Sequence, residues 1–416
     1  MTSIILTCNP GSSTIKLGLF MRKGNAAERL GMGVIDLRRK PLGLHIVEGP
    51  QAVDIPLKAR DSDDFHDVID ETFDVLAKHF SLSGLTAVGH RVVHGGDTFT
   101  GPTFVDDVTL NAVEGLVPLA PLHQPQSVRL IRAIRHLRPN LPQMASFDTA
   151  FHHTQADIVR RFALPRDLFD QGIKRYGFHG LSYKFIAGKL KEIAPRLAAG
   201  RVVVAHLGSG ASLCALANGI SRDTSMGFST LDGIPMATRC GALDAGVPLH
   251  LLKQGGYSLE ALEDLLYHRS GLLGLSGLSA DTRDLLASDA VEAAEAIDHF
   301  CLRIAREICA LATTVSGLDA LVFTAGIGEN QPLIREKVCA HLAWLGLDLD
   351  RQANNRNARR ISADTSEICA LVVATSEEQV IADEVLSLLV QAERADAPDR
   401  AAGETATALA DGRTYP

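Results

Sequence analysis

Ile4-Ile5-Leu6-Thr7-Cys8-Asn9-Pro10-Gly11-Ser12-Ser13-Thr14-Ile15-Lys16-Leu17-Gly18-Leu19-Phe20 is an apolar run, a turn of small and hydroxylated residues, and a second apolar run. Turn chemistry between two strand-forming segments predicts a β-hairpin with a hydroxyl-rich tip. Val202-Val203-Val204-Ala205-His206-Leu207-Gly208-Ser209-Gly210-Ala211-Ser212-Leu213-Cys214-Ala215-Leu216 repeats the plan about 200 residues later. That separation points to a duplicated domain rather than a short-period solenoid. A third small-residue turn, Ala325-Gly326-Ile327-Gly328-Glu329-Asn330, ends the apolar run Leu321-Val322-Phe323, and Pro332 opens a helix behind it. Ile297, Phe300, Cys301, Ile304, Ile308 and Leu311 recur at helical spacing and predict one amphipathic helix. Strands and helices mix in both halves, so the expected class is α/β.

The chain has 416 residues, 46% hydrophobic and 22% charged, enough for two or three domains that each bury a core. Such a composition excludes collagen-like, coiled-coil and wholly disordered chains. Forty-one Lys and Arg against 49 Asp and Glu leave a formal charge of −8, so no nucleic-acid partner is expected. No apolar run approaches the roughly 18 residues of a membrane span, and the N-terminus lacks a signal-peptide pattern. A cytoplasmic protein without a membrane partner is the expectation. Seven scattered cysteines without a C-x-x-C pair fit neither a disulfide framework nor a zinc site, and read as buried thiols. From Ala392 to Pro416 the chain is rich in Ala, Asp, Gly, Thr and Arg without apolar periodicity, and a disordered tail is expected there.

The tip of the first hairpin has what phosphate binding needs: Gly11 for close backbone approach, the Ser12 and Thr14 hydroxyls, and the Lys16 charge. Lys16 and Thr14 lie two apart and share one side of a strand. The pattern is not a Walker A loop. Three small-residue turns, each after an apolar strand, point together to a nucleotide polyphosphate. Cationic groups sit beside glycines or prolines in separate loops: His90, Arg91 and His94 in Gly89–Gly96, His123 in Leu119–Pro125, His179 in Tyr176–Gly180, and Arg239 in Met236–Gly241. Functional side chains favour such loops. Two acidic candidates remain, each with a structural alternative. Asp148 could cap a helix, and Glu377 could simply favour a helix N-terminus.

With these residues assembled, the chain resembles the acetate kinase family, within the acetate and sugar kinase/Hsp70/actin superfamily. The resemblance runs from about Ile4 to Leu389 through ordered blocks: NPGSSTIK, GHRVVHGG, LAPLHQP, FDTAFHHT, RYGFHG, AHLGSGAS, DTSMGFSTLDG, FTAGIGEN and TSEEQVIAD. It implies two actin-like (ribonuclease H-like) domains with a nucleotide cleft between them, usually in a homodimer. The expected division is 1–150, completed by a helix at about 378–391, and 151–377. Asn9 and Glu377 would hold Mg2+ (or Mn2+), while Ser12, Thr14 and Lys16 attend the phosphates of ATP or ADP. His206, Leu207, Gly208, Ser209 and Gly210 would form the second phosphate hairpin. Asp281, Thr282 and Arg283, with Ala325, Gly326, Ile327, Gly328 and Glu329, would line the nucleoside pocket, and Asn330 would lie close by. Arg91 would bind the acetate carboxylate, and Val93, Leu122 and Phe178 would receive its methyl group. Asp148, His179, His123 and Arg239 would surround the transferring phosphoryl group. The chain departs from the family pattern at Ser209, Thr230, Cys240, Ala242, Thr282 and Ala325. Thr230 replaces a pocket proline and Thr282 an aromatic beside the nucleoside, so acyl-chain and nucleotide preference are where this chain would differ.

The reaction implied is reversible, Mg-dependent transfer of a phosphoryl group from ATP to acetate, giving ADP and acetyl phosphate by direct in-line displacement. Such transfer is mostly positioning and charge stabilisation. Acetate, a simple carboxylic acid, is already ionised near neutral pH and has no proton to lose. Asp148 would therefore orient the arginines or a metal-held water instead of acting as a base. The alternatives are a propionate or butyrate kinase with the same chemistry, an actin- or Hsp70-like ATPase, and an inactive regulatory homologue. The ATPase reading gives no reason for Arg91, His123, His179 and Arg239 to occur together.

Overall fold

This computed structural model describes residues 3–11, 14–60, 65–80 and 82–410, with side chains described as far as 395. The chain forms two compact units. The first comprises Met1–Val92, Gly101–Phe147 and Glu377–Pro416, and the second Val93–Thr100 and Asp148–Ser376.

The first unit is built on β1 (Ile4–Pro10), β2 (Thr14–Lys23), β3 (Ala26–Asp36), β4 (Gly43–Glu48), β5 (Gln51–Pro56), β6 (Leu85–Val92), β7 (Thr103–Phe104) and β8 (Gln143–Phe147). They form one sheet in the order β5-β4-β3-β2-β1-β6-β8-β7. β1 pairs antiparallel with β2, as the hairpin pattern predicts, and in parallel with β6, which in turn pairs in parallel with β8. All seven residues of β1 are buried because helices cover both faces of the sheet. Ile4, Leu6 and Cys8 join the core formed with Val68, Phe73, Leu130 and Ile134 of the helices His66–His79 and Gln124–Leu137. The alternate residues, Asn9 among them, point the other way. That second face packs against the helix Glu377–Ala410.

This last helix corrects the expectation for the tail. It runs from Glu377 to Ala410, so 392–410 is helical, and the rest of the expected disordered tail, 411–416, lies outside the described residues. An alanine-rich segment has high helix propensity whether or not it has a face to bury.

The second unit carries β9 (Arg201–Leu207), β10 (Ala211–Ala217), β11 (Ile220–Thr224), β12 (Ala320–Thr324) and β13 (Cys369–Val372), in the order β11-β10-β9-β12-β13. Two antiparallel pairings are followed by two parallel ones. The run β3-β2-β1-β6-β8 of the first unit has the same pattern. The predicted amphipathic helix spans Val291–Thr314, packs on β9 and β10, and buries all six residues of the predicted stripe. Tyr183, Ile186 and Leu190 of the helix Gly180–Ile193 pack with Val202, Val204 and Val322.

Segment 93–100 belongs to the second unit although the linear division drawn from the sequence places it in the first. Its contacts explain why: His94 packs edge-on against Tyr176 and Phe178, and the Gly95 N–H donates to Thr149 Oγ1 at 2.9 Å. Asp97 accepts from Lys174 Nζ at 2.6 Å and also bonds Arg160. The cysteines of the chain are free thiols, and burial pushes Cys8, Cys301 and Cys339 up to about 12. No described helix is long and apolar enough to cross a membrane.

Three buried histidines set an expected acid limit. Burial lowers His90, His94 and His152 from 6.5 to about 4. His90 Nε2 meets Gln143 Oε1 at 2.6 Å, His94 Nδ1 accepts the Gly96 N–H, and His152 lies between Ser221 Oγ and the Phe178 carbonyl. Above pH 6.5 all three are neutral whether the chain is folded or not. Below it the unfolded chain takes up protons first, so stability falls as pH drops from 6.5 toward 4, by roughly a few kcal/mol per ring. Thermal melts across that window are expected to show Tm falling steadily. A flat Tm from pH 7 to 4.5 would contradict the burial of these rings.

Candidate active site

In the first unit, Asn9 is the penultimate residue of β1 and meets the start of the helix Glu377–Ala410. Its Nδ2 donates to Glu377 Oε2 and Glu378 Oε1, both at 2.8 Å, and its Oδ1 accepts from Arg91 Nη1 at 3.1 Å. Arg91 Nη1 lies 3.9 Å from Glu377 Oε2, with the two side chains only 14% and 11% exposed. Lys16 stands opposite Asn9 across the hairpin and is exposed, with Thr14 two residues before it on β2. Ser12 lies outside the described residues. His123 occupies the N-cap position of Gln124–Leu137, and Leu122 is exposed. Glu378 joins the expected Glu377 here, and the two adjacent glutamates opening the helix are its only sign in the sequence. The two carboxylates meet the amide nitrogen of Asn9 while its oxygen faces Arg91; carboxylate and amide oxygens are the kind of hard donor that Mg2+ takes. The residues present therefore fit such an ion.

In the second unit, Asp148 opens a single 3-10 turn, Asp148–His152, and is fully buried. Gly180 packs so closely on it that an added Cβ would fall 1.9 Å from the Asp148 carbonyl oxygen. His179 precedes that glycine at φ 56°, a left-handed conformation uncommon in residues other than glycine. Its ring stacks on His206 at 4.3 Å, and its Nδ1 lies 2.7 Å from Ser212 Oγ. His206 Nδ1 meets Ser182 Oγ at 2.8 Å, and Ser182 meets Thr375 Oγ1 at 2.9 Å.

The expected second hairpin is present: β9 and β10 pair through Leu207 and Ala211, leaving Gly208-Ser209-Gly210 as the tip. A Cβ at Gly210 would lie 3.1 Å from Arg239 Nη2 and 3.6 Å from His179 Nε2. The bare glycine is what lets both donors approach the turn. Arg239 is anchored on its other side, where Nη1 donates to the Thr230 carbonyl at 2.9 Å. That loop is held by Arg175, which donates to Asp232 at 2.9 Å and to the carbonyls of Thr224 and Ser225 at 3.1 and 3.0 Å.

The third turn is itself a short helix, Ala325–Asn330, where a loop was expected. The Glu329 carboxylate closes it by accepting from the Ala325 N–H at 2.8 Å and the Thr375 N–H at 3.2 Å. Asn330 Nδ2 donates to the Gly326 carbonyl. Beneath it, the fully buried Arg335 donates to the carbonyls of Gly328 and Glu329 and to Asn354 and Asn357. Ala325 sits at φ 65°, a conformation that costs a residue with a Cβ about 1–2 kcal/mol. Asp281 caps the helix Thr282–Leu286 and pairs with the exposed Arg283, while Thr282 is buried. Val93 and Phe178 are buried.

An α/β chain of two actin-like units, each offering small-residue turns beside cationic side chains, is the class this architecture defines. The acetokinase family matches residues 4–383, and the chain belongs to that family. It is 44% identical to an acetate kinase of Methylocella silvestris over 94% of this chain and 99% of that one. It is 39% identical to an acetate kinase of Rickettsia prowazekii over 94% and 100%. Among solved structures, a propionate kinase from Francisella tularensis superposes with a TM-score of 0.85 at 34% identity, covering 92% of this chain and 98% of that one. The acetate kinase of Porphyromonas gingivalis gives 0.83 at 33%, covering 93% and 100%.

Proposed function

We propose that this protein is an acetate kinase, transferring the terminal phosphoryl group of ATP reversibly to acetate. Family membership across residues 4–383 supports the reaction class. The observation that carries the site assignment is the meeting of Arg239 Nη2 and His179 Nε2 at Gly210. Arg91 grips the acetate carboxylate with two parallel hydrogen bonds and fixes the attacking oxygen. That oxygen forms its bond to the γ-phosphorus as the bond to the β-phosphate oxygen breaks, and no proton moves. Arg239 and His179 donate to the equatorial oxygens, where charge accumulates. The backbone of Gly208–Gly210, with Thr14 and Lys16, attends the remaining phosphates, and Ala325–Glu329 lines the nucleoside pocket. Asn9, Glu377 and Glu378 would hold Mg2+, which when bound neutralises phosphate charge.

We further infer a cytoplasmic homodimer. The helix Gly246–Lys253 in the second unit buries none of its residues and exposes Val247, Leu249 and Leu252. It carries His250 and Lys253, whereas the neighbouring helix Leu259–His268 carries Glu260, Glu263 and Asp264. A second copy related by a two-fold axis would meet both an apolar stripe and opposite charges.

The test is hydroxylamine trapping of the acyl phosphate as a hydroxamate, run with acetate, propionate and butyrate and with ATP against GTP. Hydroxamate from acetate and ATP, with acetate at the highest kcat/KM, is the expected result. One methylene is worth about 1–3 kcal/mol, so propionate is expected as a slower second substrate. A higher kcat/KM for propionate would make the protein a propionate kinase. ATP hydrolysis without hydroxamate would overturn the kinase reading.

A further inference from the structure

His179 is tied to the interior by two hydroxyls the reaction itself does not call on. Ser212 Oγ lies 2.7 Å from His179 Nδ1, and Tyr183 Oη lies 2.5 Å from the same serine oxygen. Ser212 faces inward from β10, and Tyr183 is one helical turn beyond His179 on Gly180–Ile193. Both are fully buried. We propose that Tyr183 and Ser212 are positioning residues that hold His179 as the neutral tautomer with its proton on Nε2. The inference rests on the reading of His179 as a donor to the phosphoryl group.

The direction of the chain follows from counting protons, since each hydroxyl has one to give. Burial, more than the nearby Cys214 and Asp148, pushes the Tyr183 phenol well above 10, so it stays protonated. Its hydrogen-bond partner is Ser212, and it donates there. Ser212 then donates its own proton to His179 Nδ1, which must be an acceptor, and the ring proton sits on Nε2. The reverse arrangement, with a proton on Nδ1, puts three protons on two contacts and leaves one of the two buried hydroxyl protons without an acceptor in this chain. That penalty disfavours the other tautomer, and the imidazolium with it, by roughly tenfold or more.

The outcome suits the site. Nε2 lies on the Gly210 side, next to Arg239 Nη2. Arg239 stands at Gly210 on the Nε2 side and His206 stacks on the ring, while Asp148 and the buried Cys214 act on Tyr183 behind it. A neutral ring donates a hydrogen bond there without adding a second cation beside Arg239. A donor that is never required to be charged also keeps its function when the solution is alkaline.

The test uses the full-length protein labelled with 15N-histidine, its His179 signal assigned by loss in His179→Gln. Without substrate at pH 8, Nδ1 is expected to appear as an unprotonated acceptor and Nε2 as protonated. Tyr183→Phe is expected to give a mixture of tautomers and to lower kcat about tenfold, with KM for ATP and acetate within twofold. Ser212→Ala provides the same readout should the tyrosine variant fail to fold. A proton on Nδ1 in the unmodified protein would overturn the proposal, as would an unchanged tautomer in the folded variants. The tautomer is read with no substrate present, so failure of the kinase reading and failure of this one give different results.

Discussion

Replacing Arg239 with alanine is expected to lower kcat by on the order of 10³, with little change in KM for either substrate. The guanidinium is held before any substrate arrives. One nitrogen donates to the Thr230 carbonyl, and the loop bearing that carbonyl is clamped by Arg175. The other nitrogen stands at Gly210 on the same side as His179 Nε2. A donor fixed in this way needs no reorganisation as charge develops on the transferring group, which is the condition under which a single donor contributes most. An arginine supplied from within the chain at such a position typically contributes 10³ or more. Steady-state kinetics with both substrates varied measure the effect. A rise confined to KM would make Arg239 a binding group and remove it from the transfer step.

Asp148→Asn is expected to lower kcat by about 10²-fold while leaving the fold intact. Asparagine keeps the shape of a residue that is fully buried and packed against Gly180, so melting should move by only a few degrees. The acceptor and charge that the proposed mechanism uses to orient the arginines are lost. Misplacement of a reacting partner by about 1 Å can cost on the order of 10²-fold. Acetate has no proton to abstract, so the effect should persist unchanged across the pH range where acetate is ionised. A pH-dependent rescue at high pH would instead mark Asp148 as a base. Near-normal turnover in the folded variant would remove it from the site.

How far the site can be read from residues alone depends on the kind of interaction. The turn at Pro10–Thr14 and the turn at Gly208–Gly210 are legible because local backbone chemistry needs small residues there, whatever the rest of the chain does. The buried stripe of Val291–Thr314 is legible because burial imposes a period of 3.6. The role of Glu378 is not legible in the sequence because its pairing with Asn9 spans 369 residues. Ser212, Tyr183 and Thr375 read as ordinary strand, helix and loop residues, and only their neighbours in space give them a task. Residues 392–410 are helical without apolar periodicity, because periodicity reports a packing face and not the helix itself.

From the residues alone came the α/β class, the doubled hairpin plan, the family and the set of polar side chains suited to phosphoryl transfer. Tertiary structure decided which carboxylates meet Asn9, which carbonyl anchors Arg239, and which hydroxyls hold the His179 ring. The division has a physical cause. Backbone preference and hydrophobic period act over a few residues, so they are written into local sequence. Hydrogen bonds between side chains far apart in the chain exist only once the sheets and helices have closed around them.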